Sequence, residues 1–341
     1  MSPIVVAGGP KGSDRSVTRL TDDPPAAHPA GGDLGSTSVA SYPGGMGAVL
    51  VYLHGVGGVR PGWAEGLLAQ DDLGSVRIFA PTYTSILTEQ AVPLGLTTGV
   101  PHPDRPAGFE VDAQARAAYR KRQRSLAERI AASPDVVPAG LSWPPILPRP
   151  TRWPILDLLE SPARFIAGLD QARRYVRDPL LRRRVIDHVR SALDSALDDD
   201  AVCDSDSVVL VGHSLGSVVA LDLFAELDRH IDLLVTLGSP LGHPDIAERL
   251  ADRGVDVSRL GGWMNVVHLL DPVPLGRGAA ALFPAATDAY LPVLAGGRGL
   301  SGLARGVARA ATAHLDQSYL SAEVVRTVIA EALSRPAGVP A

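Results

Sequence analysis

Cysteine is almost absent from this sequence of 341 residues, in which Cys203 is the only one. A single thiol excludes an intrachain disulfide, so we expect a reducing, cytoplasmic compartment. Long apolar runs are missing too: no stretch of about 18 apolar residues occurs, and we expect no membrane span. The opening residues MSPIVVAGGPKGSDR lack a basic segment followed by an apolar one, so we expect no signal peptide.

Motifs for metals, nucleotides and nucleic acids are also lacking. The sequence contains no H-E-x-x-H and no G-x-x-x-x-G-K-[ST], and the glycine-rich loop over 54–58 is too short for a dinucleotide site. The net charge is −5, and the basic clusters Arg116–Arg124 and Arg182–Arg184 have the spacing of solvated helix faces. We therefore expect no metal, no cofactor and no nucleic-acid partner.

The most informative stretch that is present is Ser207–Phe224, SVVLVGHSLGSVVALDLF. Its apolar, β-branched start predicts a buried strand, and the apolar spacing that follows predicts a helix. Between them, Gly212-His213-Ser214-Leu215-Gly216 predicts a tight turn, in which a Cβ at either glycine would collide with a neighbouring strand or helix. Such a turn exposes the Ser214 hydroxyl at the carboxyl edge of a sheet. A serine that merely caps a helix is the alternative.

This strand, turn and helix resemble the nucleophile elbow of the α/β-hydrolase superfamily of serine esterases and lipases. The resemblance implies that an HG segment after an earlier strand supplies half of an oxyanion hole. In this chain, the predicted strand Ala48–Leu53 runs into His54-Gly55, which points to the backbone amides of Val56 and Leu215 as donors. We expect His54 to hold this loop by local hydrogen bonds. The alternative is a glycine-rich turn with no role in catalysis.

The resemblance also implies the chain order serine, acid, histidine. Four histidines follow Ser214. His230 lies at the wrong end of a predicted strand, His243 comes before the preferred acid, and His268 falls inside a strand pattern. His314 precedes the last predicted helix, where the family keeps its base, so His314 is the expected base.

The acid should follow the carboxyl end of a strand. Asp271 does so, directly after Trp263–Leu270, and it opens an Asp-Pro dipeptide that also fits an ordinary turn. Asp245, after the sixth predicted strand, is the alternative acid. We expect Asp271 to orient His314, which activates Ser214.

Strands that alternate with helices predict an α/β fold with a doubly wound, mostly parallel sheet. The hydrolase core is assigned to 47–81 and 181–335, after an irregular segment over 1–46. Residues 82–180 are too long for a structureless loop. The resemblance implies that this insertion before the elbow strand forms a helical cap or lid, and its proline- and tryptophan-rich middle suits an acyl or aromatic substrate. The alternative is a packed subdomain that does not touch substrate.

The individual elements follow from the same patterns. Strands are predicted at Ala48–Leu53, Val76–Ala80, Val208–Val211, His230–Leu237 and Trp263–Leu270, with a weak candidate for a last strand near Val307–Thr312. Helices are predicted at Trp63–Ala69, Val111–Ala132, Leu181–Leu197, Pro244–Arg253 and Leu320–Leu333.

These features predict a serine hydrolase that cleaves a carboxylic ester or thioester of a small or lipid-like acyl substrate through an acyl-enzyme. Acyl transfer to an alcohol or amine on the same residues is one alternative. The other is a catalytically silent hydrolase scaffold that binds a protein partner through residues 1–46 or through the insertion.

Overall fold

The computed structural model describes most of the predicted core. The described residues are 47–56, 58, 63, 76–89, 112–137, 171–172, 174–197, 206–242, 246, 250, 255–269, 271, 273–274, 277–292 and 313–334.

One six-stranded sheet forms the centre of the described structure. Its strand order is β2-β1-β3-β4-β5-β6, and every neighbouring pair is parallel. The strands are β1 (Ala48–Leu53), β2 (Val76–Phe79), β3 (Ser207–His213), β4 (Leu233–Leu237), β5 (Trp263–His268) and β6 (Thr287–Leu291). Because all strands point the same way, their carboxyl ends meet at one edge, which is where α/β proteins build their sites.

Helices connect the strands. They are α1 (Thr84–Thr88), α2 (Ala113–Ala132), α3 (Pro179–Leu197), α4 (Leu215–Glu226), α5 (Asp316–Leu320) and α6 (Glu323–Leu333), with short 3₁₀ turns at Pro240–Gly242 and Val257–Arg259. The predicted closing helix Leu320–Leu333 corresponds to α6, which begins three residues later, and α5 is a short additional helix that precedes it. The predicted helices Trp63–Ala69 and Pro244–Arg253 lie almost wholly outside the described residues.

Alternate strand residues point to opposite sides of the sheet, and apolar side chains are buried on both sides. Leu210 and Leu234 belong to a core cluster that also holds side chains of α3 and α4. Leu50 and Val211 belong to a second cluster, which holds side chains of α6. The described chain is therefore an α/β protein with a buried parallel sheet and an apolar core on each side of it.

The last strand differs from the prediction. β6 is Thr287–Leu291, where no strand is expected from the sequence, and the weak candidate Val307–Thr312 lies outside the described residues. The reason is tertiary: the Asn265 side chain on β5 donates to Asp288 at 2.8 Å, and the Asp288 carboxylate also accepts the backbone amides of Ala279 and Ala280. A polar strand is thereby satisfied in the sheet without an apolar run.

Helix α2 lies within the predicted cap but packs at the amino ends of the strands. Gln123 donates to the carbonyl of Trp263 at 2.7 Å and to the Thr287 hydroxyl at 2.6 Å, which are the first residues of β5 and β6. Beyond α2, the Val137 amide donates to the Tyr290 carbonyl at 2.8 Å along the outer edge of β6. This helix consequently belongs to the body of the protein, at the edge opposite the carboxyl ends of the strands.

Other described parts of 82–180 are also built into the core. Leu87 of α1 and Tyr175 are fully buried in the cluster that contains α4. The rest of the predicted cap, including 90–111 and 138–170, lies outside the described residues, so a cover over the site stays a prediction.

Candidate active site

Loops that leave four strands converge at the carboxyl edge of the sheet. Ser214 follows β3 directly, and His54 follows β1. Gly238 follows β4, and Asp271 comes shortly after β5. Parallel pairing between these neighbouring strands places the four loops side by side.

Ser214 sits in a strained turn between β3 and α4. Its φ is 55° and its ψ is −124°, which makes it the one non-glycine residue with positive φ among the described residues. Such a conformation costs about 1–3 kcal/mol and persists only where its surroundings enforce it. The Ser214 amide donates to the Leu237 carbonyl at 2.9 Å, and the Ser217 hydroxyl donates to the Gly212 carbonyl at 2.8 Å. The turn is thus tied to two neighbouring strands.

The two glycines of the turn are required sterically, as predicted. A Cβ on Gly212 would lie 2.6 Å from the Gly216 carbonyl oxygen. A Cβ on Gly216 would run directly into the Leu53 carbonyl oxygen at the end of β1. Glycine therefore lets α4 start close against β1 and β3, which fixes where Ser214 points.

The structure brings the three predicted catalytic side chains together. The Nε2 atom of His314 lies 2.9 Å from the Ser214 Oγ, and its Nδ1 atom lies 2.8 Å from the Asp271 Oδ2. A carboxylate can only accept, so Nδ1 carries the proton and Nε2 is free to accept the serine proton. The arrangement can transfer a proton from Ser214 to His314 while Asp271 stabilises the resulting cation.

Asp271 is held by further donors. Its side chain is fully buried. The Val273 amide donates to Oδ1 at 2.8 Å, and the Tyr319 hydroxyl donates to Oδ2 at 2.5 Å. Gly238, with a φ of 52°, makes room beside it, because a Cβ there would lie 2.7 Å from Oδ2. Tyr319 is a site residue that the sequence does not reveal, since it is one apolar position of a short helix.

The loop after β1 lies against Ser214. A Cβ on Gly55 would come within 2.9 Å of the Ser214 Cβ. The Gly58 amide donates to the Gly55 carbonyl at 3.3 Å, which closes a turn that carries Val56. Leu215 is the first residue of α4, where backbone amides lack a partner within the helix. Both predicted oxyanion donors thus belong to segments adjacent to Ser214.

His54 holds this loop from below. Its Nδ1 lies 2.5 Å from the Gly55 carbonyl oxygen, and its Nε2 lies 3.4 Å from the Tyr83 amide. Its ring stacks on Tyr83, whose hydroxyl donates to the His54 carbonyl. One donating and one accepting nitrogen define the neutral imidazole. Burial lowers the pKa of His54, which keeps it neutral and agrees with a structural part.

The other histidines take different positions. His213 of the turn lies with its Nε2 2.9 Å from the His314 carbonyl oxygen, and the two rings are 5.0 Å apart. His230 stands at the amino end of the sheet, 3.8 Å from Asp232. His268 is at the end of β5, where burial lowers its pKa. The alternatives His243 and Asp245 lie outside the described residues.

No group of three or more His, Cys, Asp or Glu side chains among the described residues is arranged to hold a metal ion. No described helix combines the length and apolar character needed to cross a membrane.

Comparisons with known proteins leave the family open. No protein-family model matches the chain, and no curated protein matches it. One solved structure similar to it is the NocB thioesterase domain in covalent complex with a fluorophosphonate nocardicin G analog, at 14% identity and a TM-score of 0.33. That match covers 86% of this chain and 99% of the other. Likeness at this level defines neither the family nor the substrate of this chain.

Proposed function

We propose that this protein is a serine hydrolase of the α/β-hydrolase fold that cleaves a carboxylic ester or thioester through an acyl-enzyme. One observation supports this above all: Ser214, strained at φ 55°, lies 2.9 Å from a histidine nitrogen that a buried aspartate orients. Positive φ is uncommon at non-glycine residues, and residues held in such strained conformations cluster at active sites. A serine that only capped a helix would need neither the strain nor the imidazole.

In the first half of the reaction, Ser214 Oγ attacks the substrate carbonyl carbon while His314 Nε2 takes the hydroxyl proton. The negative charge that develops on the carbonyl oxygen is stabilised by the Val56 and Leu215 amides. The tetrahedral intermediate then collapses. The bond to the leaving alcohol or thiol breaks, and His314 returns the proton to that group, which leaves an acyl-Ser214 ester.

In the second half, water replaces the leaving group. His314 takes a proton from water, the hydroxyl adds to the acyl carbon, and the same amides stabilise the oxyanion. Collapse breaks the bond to Ser214 Oγ, which regains its proton from His314. The products are a carboxylic acid and the free enzyme.

The test is covalent labelling. A fluorophosphonate should form an adduct on Ser214, located by peptide mass spectrometry, and a panel of p-nitrophenyl esters of rising chain length should be hydrolysed. Ser214→Ala should abolish the adduct and lower turnover by ~10⁴–10⁶-fold while it leaves the far-UV circular dichroism unchanged. Absence of any adduct on Ser214 in the folded wild-type protein would support the silent scaffold. Ester products that appear only with an added alcohol would instead indicate acyl transfer.

A further inference from the structure

Tyr319 makes a hydrogen bond that the proposed mechanism does not use. It lies in α5 and is fully buried, and its hydroxyl donates to Asp271 Oδ2 at 2.5 Å. This is the same carboxylate oxygen that accepts from His314 Nδ1 at 2.8 Å. The Tyr319 hydroxyl and the His314 imidazole therefore share the same carboxylate oxygen of Asp271.

The Tyr319 hydroxyl is fixed as a donor toward Asp271. The Tyr319 hydroxyl accepts a hydrogen bond from the backbone amide of His268 at 3.2 Å, which leaves its own proton for Asp271. Burial, with the charge of Asp271 as a second cause, raises the pKa of Tyr319 well above its ordinary value. The phenol stays protonated, and its proton points at the carboxylate.

We infer that Tyr319 is a positioning residue that limits how strongly Asp271 attracts the His314 proton. A hydrogen bond to an ionised carboxylate spreads its charge and weakens the attraction to other cations. Removal of the Tyr319 hydroxyl leaves His314 as the one donor to Oδ2 among the described residues, beside the Val273 amide on Oδ1, which favours the protonated imidazole. Since only the neutral imidazole can accept the Ser214 proton, Tyr319 extends activity toward lower pH.

The fold holds the Asp271 carboxylate and the Tyr319 hydroxyl next to each other. Gly238, at the end of β4, lies under both, because a Cβ there would be 2.7 Å from Asp271 Oδ2 and 2.9 Å from Tyr319 Cε2. His314 and Tyr319 come from one short segment that runs into α5. The same segment therefore positions both His314 and the Tyr319 hydroxyl against Asp271.

Other titratable groups approach this pair from the neighbouring elements. His213 comes from β3, with its ring 5.0 Å from that of His314, and His268 comes from β5 beside Asp271. Asp316 of α5 accepts from the Tyr52 hydroxyl at 3.3 Å and acts on His54 in the loop after β1. A Tyr319→Phe change alters the charge of none of them, so a shift caused by the hydroxyl is separable from their effects.

Tyr175 offers a matched control. It is also fully buried, and its hydroxyl donates to a buried carboxylate, that of Asp222 in α4, at 2.9 Å. Tyr175→Phe removes the same kind of hydrogen bond without touching Asp271. Loss of stability should therefore be common to both variants, whereas the effect on His314 should belong to Tyr319→Phe.

The experiment measures the pH dependence of wild type, Tyr319→Phe and Tyr175→Phe. We expect the acid limb of kcat/KM to move up by about 0.5–1 pH unit in Tyr319→Phe alone, which lowers the rate below that limb by about 3- to 10-fold. The midpoint of the His314 imidazole titration, followed by NMR of histidine-labelled protein and assigned with His314→Asn, should move in the same direction.

The outcomes separate the inference from the proposed function on which its kinetic part rests. Wild-type protein that hydrolyses no ester and takes no fluorophosphonate would sink the proposed function, while the NMR midpoints still test Tyr319. Unchanged midpoints in folded Tyr319→Phe overturn the inference alone. If that variant does not fold, 3-fluorotyrosine at 319, a stronger donor, should shift the midpoint to lower pH, and no shift overturns the inference.

Discussion

At the scale of single residues, Gly55 lets the loop after β1 approach Ser214 more closely than a side chain allows. A Cβ there would stand 2.9 Å from the Ser214 Cβ, so either the loop or the serine has to shift. The loop carries Val56, one of the two proposed oxyanion donors. Small displacements of such donors cost much of their effect, because the stabilisation depends on their preorganised geometry.

Gly55→Ala should therefore lower kcat/KM for ester hydrolysis by about 10²–10³-fold with little effect on thermal stability. Gly262→Ala is the matched control, since its Cβ would meet the end of the Leu126 side chain at 3.1 Å, near the other edge of the sheet. We expect the control to retain its activity. Equal kinetic losses in the two variants would argue against an oxyanion role for the Gly55 loop.

The buried, neutral His54 makes a second residue-scale prediction. Burial lowers its pKa below the ordinary value of 6.5, so just below pH 6.5 His54 is protonated in the unfolded chain but neutral in the folded one. Stability is then lost as the pH falls below the unfolded value. In His54→Asn this contribution disappears, and the free energy of unfolding should fall less steeply between pH 6.5 and about pH 5 than in wild type.

Urea unfolding at several pH values measures these slopes. His230→Asn is the comparison, because burial also lowers the pKa of His230 but its side chain is 40% exposed. We expect a smaller change of slope in that variant. Identical slopes in wild type and His54→Asn would show that the imidazole is not kept neutral by the fold.

At the scale of elements, local patterns define most of the sheet and the convergence of its loops. Apolar, β-branched runs predict β1 and β3, and the observed strands begin and end within one or two residues of the predicted bounds. The chain order that the α/β-hydrolase resemblance implies, together with the predicted strand ends, selects Ser214, Asp271 and His314, which the structure places within hydrogen-bonding distance. This prediction is possible because parallel strands all have their carboxyl ends at the same edge of the sheet, so residues that follow different strands lie close together.

Elements held by tertiary polar contacts escape such patterns. β6 contains the polar residues Thr287 and Asp288, and only the tertiary hydrogen bond from the Asn265 side chain to Asp288 explains why they lie in a strand. The docking of α2 depends on Gln123, whose type is ordinary for any exposed helix position. Tyr319 likewise has no local signal, since its partner Asp271 is distant in the chain. Contacts between distant residues are not encoded in spacing.

The position of α2 leads to a prediction about its part in the protein. Gln123→Ala removes hydrogen bonds to Trp263 and Thr287 and should destabilise the fold by about 1–3 kcal/mol. Because α2 packs at the edge opposite Ser214, kcat/KM of the folded variant should equal that of wild type. Urea unfolding and ester hydrolysis measure the two effects.

The control for this prediction is the next residue along the helix. Arg124 is exposed, and Arg124→Ala should change stability by less than about 0.5 kcal/mol. A large change in KM in Gln123→Ala, with stability unchanged, would instead assign α2 to a cover over the substrate.

At the scale of the whole molecule, the sheet couples the two apolar cores. Leu50 and Leu234 are both fully buried but belong to opposite clusters. Truncation of either to alanine should destabilise the fold by about 2–5 kcal/mol. Since the strands are common to both cores, each variant should still unfold in one transition, with far-UV circular dichroism and tryptophan fluorescence giving the same midpoint.

Leu282, which is 44% exposed, gives the control: Leu282→Ala should shift the midpoint little. Separate transitions for the two optical signals in either core variant would mean that the faces unfold independently.

The bond from Val137 to Tyr290 has a consequence for colloidal behaviour. A free outer strand presents unpaired amides and carbonyls that can recruit a further chain and so begin aggregation. Val137 occupies that position beside β6 at Tyr290, which hinders in-register growth on this flank. Among the described strands, β2 is the remaining terminal one, so intermolecular strand addition, where it occurs on heating, should start from β2.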